Sequence, residues 1–248
     1  MAYQAVFKRY EIKYMLTKEQ KAMLLSVMEP YMALDDYGRT TIRNIYFDTP
    51  NYRLIRRSIE KPVYKEKLRV RSYSTAGPGD KVFVELKKKY ESVVYKRRVS
   101  LPRDNAMAWL CERAECKKNT QITSEINYFL DYYGEISPAV FLSYEREAYY
   151  SKDESDFRVT FDENILSRQT DLSLGAEVYG DSLLEDGMTL MEIKCSGGIP
   201  LWMVHALSEA KIYKTSFSKY GTAYERLIFP QLQQIHKDDK SKETLIHA

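Results

Sequence analysis

Several segments of this sequence alternate charged and aliphatic residues with a period of two. Lys67 to Arg71 places Lys67, Arg69 and Arg71 on one side, and Val82 to Lys87 repeats the pattern. Successive side chains of a β-strand point to opposite faces, so each segment predicts a strand with one charged face and one aliphatic face. The same alternation returns at residues 9–13, 143–146, 158–160 and 191–194. We therefore expect the chain to form a sheet with one charged face and one aliphatic face.

Two arrangements satisfy this pattern. The charged face can lie in solvent, where its side chains form weak ion pairs. Alternatively, the sheet curls so that the charged face lines a lumen, as interior and exterior positions alternate in barrels. Predicted helices at 18–32, 103–134 and 201–213 could then cover the aliphatic face from outside, which favours the lumen. A lumen lined by cations and a few carboxylates suits a polyphosphate with a divalent metal.

The element pattern predicts a single α+β domain. We expect an antiparallel, tunnel-type β-barrel of roughly eight strands with helices packed outside. Residues 1–235 form this domain, and the polar residues 236–248 are expected to form a flexible tail. The predicted strands cover residues 5–15, 40–48, 62–74, 81–90, 93–101, 138–150, 156–164, 174–179 and 188–196.

Composition excludes several classes of protein. The 248 residues carry a formal net charge of only +3, which does not fit a generic nucleic-acid coat. Three cysteines without metal-finger spacing indicate reduced thiols in a cytoplasmic protein. The chain has no apolar signal segment and no run of ~18 apolar residues that could span a membrane. Binding of an anion would therefore need charge that is concentrated locally.

The chain lacks the common catalytic motifs. It contains neither a GxxxxGK[ST] phosphate loop nor a GxGxxG turn, and its 3 histidines do not suggest a catalytic triad. Electrostatic catalysis of phosphoryl transfer remains, because this reaction needs alignment and charge neutralisation more than covalent help. Arginines bind phosphate oxygens bidentately, lysines act as point charges, and Mg²⁺ or Mn²⁺ needs only one or two carboxylates.

Several short charged motifs occur along the chain. Three E-x-K units begin at Glu11, Glu85 and Glu192, and an R-x-R unit lies at Arg69 and Arg71. Further short motifs are Asn44 to Asp48, Tyr144 to Arg146, Phe157 to Asp162 and Phe217 to Tyr220. Together, from about Phe7 to Phe229, these segments resemble the polyphosphate polymerase domain of the vacuolar transporter chaperone family. That family belongs to the triphosphate tunnel metalloenzymes, whose CYTH relatives include triphosphatases and a cyclase.

The resemblance implies roles for particular residues. Those expected to act in catalysis are Lys13, Arg69, Arg71, Lys87 and Lys219. Those expected to bind phosphate are Arg9, Lys96, Arg146, Arg158 and Lys194. Those expected to hold a divalent metal, Mn²⁺ or Mg²⁺, are Glu192, Glu85 and Glu11. CYTH enzymes carry E-x-E-x-K on the first strand, whereas Arg9 occupies the first glutamate position here, which fits the polymerase branch better than the hydrolytic one.

We therefore expect an ATP-dependent polyphosphate polymerase that transfers the γ-phosphoryl group of ATP to a growing polyphosphate chain. Its partners would be ATP and inorganic polyphosphate, not nucleic acid, and any coupled translocation would require a membrane partner protein. Two alternatives stay open at this point. One is a metal-dependent hydrolase of tripolyphosphate or nucleoside triphosphates, and the other is a non-catalytic module that binds polyphosphate or inositol phosphates.

Overall fold

The computed structural model describes residues 10–91, 93–153 and 155–234. Eleven strands occur in this part of the chain: β1 (Tyr10–Leu16), β2 (Met32–Leu34), β3 (Thr40–Asp48), β4 (Tyr64–Ser72), β5 (Lys81–Tyr90), β6 (Val93–Pro102), β7 (Ser137–Ser151), β8 (Arg158–Arg168), β9 (Asp181–Ser182), β10 (Thr189–Cys195) and β11 (Lys214–Thr215). Six α-helices accompany them: α1 (Lys18–Met28), α2 (Arg53–Ile59), α3 (Arg103–Glu112), α4 (Gln121–Tyr133), α5 (Leu201–Glu209) and α6 (Lys219–Ala223), which continues into a π-helical turn, Tyr224–Ile228.

The strands form one antiparallel sheet that is not closed by backbone hydrogen bonds. Among the described residues the order is β11-β1-β10-β8-β7-β3-β4-β5-β6, with β2 paired to β7 and β9 paired to β8. The prediction of an α+β fold with a large antiparallel sheet is confirmed, but the eight-stranded barrel is not. The added strands β2, β9 and β11 have only three, two and two residues. Such lengths are too short to show a period of two.

Two apolar clusters cover the outer face of this sheet. Leu68 and Val84 from β4 and β5 pack against Trp109 of α3 and Phe129 of α4. The second cluster joins β1, β8 and β10 to helices α1 and α5. Each buried aliphatic or aromatic side chain of this kind stabilises the fold by about 1.5–3 kcal/mol. Helices α1, α3, α4 and α5 therefore lie outside the curved sheet, as the aliphatic strand faces predicted.

Several helix boundaries differ from the sequence-based expectation. The predicted helix at 103–134 is two helices, since α3 ends at Arg113, which adopts a left-handed conformation with φ of 60°. A second helix, α4, begins after Thr120. The side chain of Thr120 caps α4 by accepting a hydrogen bond from the backbone N–H of Thr123. The helix predicted at 201–213 ends at Glu209. No strand forms at 174–179, where the chain makes a turn and a loop.

A third apolar cluster lies on the opposite, concave face. Tyr46 and Leu142 from β3 and β7 contact Tyr220 of α6 and Tyr224 of the π-helical turn. Helix α6, which the sequence did not predict as a helix, thus packs against the apolar part of the concave face. Its first residue, Lys219, is brought to the charged part of that face.

Asp48, at the end of β3, joins the short helices α2 and α6 to the sheet. Its carboxylate accepts hydrogen bonds from the backbone N–H groups of Leu54 (2.8 Å) and Ile55 (3.0 Å) in α2 and from the hydroxyl of Tyr220 (2.9 Å). Burial raises the pKa of Asp48, and these hydrogen bonds oppose the rise. The N-cap residue of α2, Tyr52, makes no capping hydrogen bond with its side chain, so Asp48 performs this function.

No described helix is both long and apolar enough to cross a membrane.

Replacement of Asp48 by Ala should lower the free energy of unfolding by about 3 kcal/mol, because buried donors of α2 and the Tyr220 hydroxyl lose a charged acceptor. Urea unfolding at pH 7 measures the change. Asp36→Ala, at an exposed turn, is the matched control and should change the free energy by less than about 0.5 kcal/mol. Equal effects of the two substitutions would show that Asp48 does not hold these helices.

Candidate functional site

The concave face of the sheet, called the inner face below, gathers the charged side chains of seven strands. They are Glu11, Lys13, Lys65, Lys67, Arg69, Arg71, Glu85, Lys87, Lys89, Lys96, Arg98, Arg146, Arg158, Asp162, Glu192 and Lys194. Cations outnumber carboxylates here, although the net charge of the whole chain is only +3. Positive charge is therefore concentrated on one surface, as binding of a polyanion requires.

The inner face curves until strands from distant positions in the sheet meet. Nζ of Lys87 on β5 lies 3.2 Å from Oε2 of Glu11 on β1, although five strands separate β1 from β5 in the sheet order. Nζ of Lys67 on β4 donates a hydrogen bond of 2.9 Å to Oγ of Ser218, directly before α6. Side-chain contacts thus join the two sides of the sheet, and the space between them is called the tunnel below.

Glu192 on β10 lies at the centre of a group of cations. Its carboxylate oxygens lie 3.0 Å from Nζ of Lys194, 3.4 Å from Nζ of Lys13 and 3.8 Å from both Nζ of Lys219 and Nη2 of Arg146. Burial alone would raise the pKa of Glu192, but these cations, Lys194 first, hold the pKa well below its usual range. Glu192 is therefore ionised at any pH near neutral.

Asp162 on β8 is a second carboxylate of the same group. It is fully buried, and it accepts two hydrogen bonds from Arg146, of 2.6 Å from Nε and 2.7 Å from Nη2. Nζ of Lys219 lies 2.5 Å away. Burial opposes ionisation, but Arg146 and then Lys219 lower the pKa of Asp162. The bidentate pair fixes the guanidinium of Arg146 beside Glu192.

Glu11 on β1 completes this side of the tunnel. Its nearest cations are Lys87 at 3.2 Å and Lys13 at 4.0 Å. Burial would raise the pKa of Glu11, yet Lys87 and Lys194 outweigh it and lower the pKa to about 2. Lys13 lies between Glu11 and Glu192, so the two carboxylates share one ammonium group.

Glu85 on β5 forms a separate group at the other side of the tunnel. It accepts from Nη2 of Arg69 at 2.7 Å, from Nζ of Lys96 at 2.8 Å and from Nε of Arg98 at 2.6 Å. Burial opposes its ionisation, but Arg69 and the other cations lower the pKa of Glu85 strongly. Burial also lowers the pKa of Lys96 to about 8. One carboxylate thus positions three cations that line the tunnel.

Arg71 differs from its neighbours because its partners are neutral. Its guanidinium is buried and donates to Oδ1 of Asn44 at 2.9 Å and to the hydroxyl of Tyr144 at 2.8 Å. No described carboxylate lies within ion-pair distance of Arg71. Its charge is therefore held in place without being neutralised, which leaves it available to an anion.

Lys67 is a further cation of the inner face without a carboxylate partner among the described residues. It is partly buried, and directly opposite it on β5 is Lys87. Burial, followed by repulsion from Lys87 and Lys13, lowers the pKa of Lys67 to about 7.

The residues around Glu192 fit a divalent cation that also binds phosphate. Mg²⁺ and Mn²⁺ are coordinated by carboxylate and hydroxyl oxygens, and oxygen atoms of substrate phosphates complete their coordination shell. Glu192 pairs in register with Thr160, whose buried hydroxyl has no hydrogen-bond partner in the described structure. No group of three or more carboxylate, histidine or cysteine side chains suited to a metal occurs in the described ranges. An ion at Glu192 would therefore depend on oxygen atoms from the substrate.

The structure does not bring all of the predicted site residues together in one group. Of those predicted to hold metal, Glu192 and Glu11 share one side of the tunnel, whereas Glu85 lies in the separate group with Arg69. Arg158 is on the inner face but exposed, with its guanidinium 4.4 Å from the ring centre of Tyr150. Arg9 and the predicted tail, residues 236–248, lie outside the described residues.

Sequence reasoning did not assign several residues that the structure brings to the tunnel. Asp162 continues the period of two from Arg158 and Thr160, and Lys67 and Arg98 extend the pattern at Arg69 and Lys96. The period could therefore have identified these residues. The hydroxyl of Ser218 had no such signal, because it reaches the tunnel through the packing of α6.

Comparison with solved structures finds the same fold in a protein of very different sequence. A protein from Bacillus halodurans, described as a proposed adenylate cyclase, superposes with a TM-score of 0.54 at 15% identity, covering 87% of this chain and 96% of that one. A proposed adenylyl cyclase from Hippeastrum, reported with a dominant triphosphatase activity, gives a TM-score of 0.49 at 16% identity, with coverages of 85% and 92%. The first of these similarities shows a shared fold. No curated protein sequence matches the chain.

The sequence profile of the VTC domain matches residues 8–228, which is most of the chain. The match includes every strand of the described sheet and the lysine that α6 brings into the tunnel. It confirms the resemblance on which the site residues were predicted. This chain belongs to the VTC domain family.

Proposed function

We propose that this protein is a polyphosphate polymerase that transfers the γ-phosphoryl group of ATP to the end of a polyphosphate chain held in the tunnel. The observation that carries the proposal is the excess of cations over carboxylates along the whole inner face. A bound triphosphate or polyphosphate would find neutralising charge on several strands at once, which aligns its reacting ends and stabilises charge that develops during transfer.

The bond changes of this reaction need little from the protein beyond charge and position. An oxygen of the terminal phosphate of the chain attacks the γ-phosphorus of ATP, and the bond from that phosphorus to the β,γ-bridging oxygen breaks. ADP leaves with the electron pair. Fixed cations such as Arg71 and Lys219 can stabilise the charge on the equatorial and leaving oxygens without reorganising.

The tunnel carboxylates are poorly suited to activate water as the attacking group, whereas a phosphate acceptor does not need them as bases. Water must lose a proton, so a hydrolase gains from a general base whose pKa lies near the working pH. Ion pairs lower the pKa values of Glu11, Glu85, Asp162 and Glu192, which makes them weak bases. A terminal phosphate is already anionic near neutral pH and requires no base.

A divalent cation, Mn²⁺ or Mg²⁺, is proposed as cofactor. Glu192 and Glu11 would hold it, with the hydroxyl of Thr160 beside Glu192, whereas Glu85 is paired with Arg69, Lys96 and Arg98. When bound, the ion would neutralise charge on the phosphate oxygens. Lys13, Lys194 and Lys219 would meanwhile orient the substrate.

A metal-dependent triphosphate hydrolase is the alternative, since it would use the same tunnel with water as the attacking group. A polyphosphate-binding module without activity is a further one. The tunnel carboxylates argue against a simple receptor, because carboxylates in a lumen for anions weaken binding unless they also hold a metal or position cations.

Incubation with ATP and Mn²⁺ or Mg²⁺ should yield a ladder of polyphosphate chains on a gel, together with ADP. A ladder is expected because the acceptor in the proposed reaction is a phosphate and the tunnel carboxylates are weak bases. Release of orthophosphate without a ladder would contradict the polymerase and support the hydrolase. Binding of polyphosphate without any turnover would support the receptor.

Arg69→Ala and Arg71→Ala should each lower turnover by about 10²–10³, the usual loss for one preorganised group that stabilises charge in the transition state. Steady-state rates of product formation measure this. Arg97→Ala is the control, because Arg97 lies on the outer face of β6 and pairs with Glu125 (3.1 Å). Rates near that of the unmodified protein in both inner-face variants would show that these arginines do not contact the substrate.

Glu192→Gln should abolish most metal-dependent turnover while affinity for polyphosphate without metal stays equal or rises, since one carboxylate leaves a cationic tunnel. Turnover and metal-free affinity are measured on the same variant. The control is Glu147→Gln, which also removes an ion-paired carboxylate but on the outer face, where Glu147 bonds Lys21 at 2.6 Å. Intact metal-dependent turnover in Glu192→Gln would exclude Glu192 as the metal ligand.

A further inference from the structure

Lys67 is distinguished from the other cations of the tunnel by its surroundings. Most inner-face cations have a carboxylate within 4.0 Å: Lys13, Lys87, Lys96, Lys194 and Lys219 are all ion-paired. Lys67, like Lys65, Lys89 and Arg71, has none in the part of the chain that the structure describes. Among the described residues, its side chain makes one hydrogen bond, to Oγ of Ser218 at 2.9 Å.

The charged groups facing Lys67 from the neighbouring elements are cations. Lys65 and Arg69 flank it on β4, Lys87 faces it from β5, and Lys13 faces it from β1. The last residue of β3, Asp48, does not compensate them, because its carboxylate is bonded to α2 and Tyr220. A protonated Lys67 is thus repelled from several directions and has no counter-ion in the ligand-free protein.

An anion bound in the tunnel would supply the counter-ion that Lys67 lacks. Phosphate oxygens carry the negative charge that is missing around Lys67, and they would stabilise its protonated form. The ammonium would then gain a charge-assisted hydrogen bond while Ser218 keeps it aimed into the tunnel. The burial and repulsion that lower the pKa of Lys67 to about 7 in the free protein would be opposed in the complex.

We propose that Lys67 is a phosphate ligand of the tunnel that takes up a proton from the solvent when the phosphate chain binds, so that substrate binding and protonation of this lysine are coupled. The amine of Lys67 gains one proton, its lone pair forms the new N–H bond, and the buffer supplies the proton. The proposal rests on the proposed function only in that the tunnel must bind a phosphate chain. It does not depend on whether the chain is lengthened or hydrolysed.

Calorimetric titration with inorganic tripolyphosphate, without divalent metal, tests this directly. At pH 8, in two buffers of different ionisation enthalpy, the unmodified protein should take up about one proton more than Lys67→Arg, since arginine is protonated before and after binding. Protonation changes of tripolyphosphate itself are common to both proteins and cancel in the difference. Lys67→Arg should retain affinity, whereas Lys67→Gln should lose about tenfold or more.

Lys89→Gln is the matched control, because it removes a cation from the inner face on β5, the strand beside that of Lys67, and it should retain the proton uptake. The melting temperature of ligand-free Lys67→Gln separates a ligand from a structural residue. It should rise, because folding no longer has to bury an amine that must either lose its proton or lie among like charges, whereas loss of a structural lysine would lower it.

Equal proton uptake by Lys67→Arg and the unmodified protein would overturn the proposal, as would unchanged affinity in Lys67→Gln. Either result leaves the proposed function standing, provided that the unmodified protein binds tripolyphosphate. Failure of the unmodified protein to bind tripolyphosphate at all would overturn both.

Discussion

Burial of many cations on the concave face of one sheet is the constraint on which the rest of this structure depends. Ionised groups removed from water need partners, and a sheet that curves inwards brings its charged side chains together. Four carboxylates meet part of this need: Glu11, Glu85, Asp162 and Glu192 each hold at least two cations. In the proposed function, the remaining cations would set the affinity of the tunnel for anions. The aliphatic outer face and its helices supply the stability that such an arrangement itself lacks.

The strands and their inward charges could be predicted from sequence, because both follow from a period of two. In Lys67 to Arg71 and in Glu85 to Lys87, the period identifies which residues share a face, and register then places Arg69 opposite Glu85. The same reasoning fails for β2, β9 and β11, which are too short to be periodic. The same reasoning also predicted α3 and α4 as one helix. Arg113 ends α3 in a left-handed conformation, and no glycine or proline marks this break in the sequence.

The division of the charged residues into groups could not be predicted, since it depends on curvature. Period and motif place Glu11, Glu85 and Glu192 in equivalent E-x-K units, yet the sheet brings Glu11 near Glu192 and leaves Glu85 with Arg69 and Arg98. The contact between Lys87 and Glu11 joins β5 to β1, two strands that share no backbone hydrogen bond among the described residues. No local pattern specifies such a contact. Similarly, Lys219 reaches Asp162 because apolar packing and the hydrogen bond between Tyr220 and Asp48 hold α6 against the sheet.

A tunnel that passes a growing polyanion must bind it at many points but hold it firmly at none. Carboxylates that already pair with the cations make this possible, because phosphate oxygens exchange with a carboxylate instead of meeting a bare charge. Lys13, shared between Glu11 and Glu192, could change partners as a chain moves without ever losing a counter-ion. Arg71 and Lys67, which have no carboxylate within ion-pair distance among the described residues, would then supply the net attraction. The carboxylates would make binding reversible from one phosphate unit to the next.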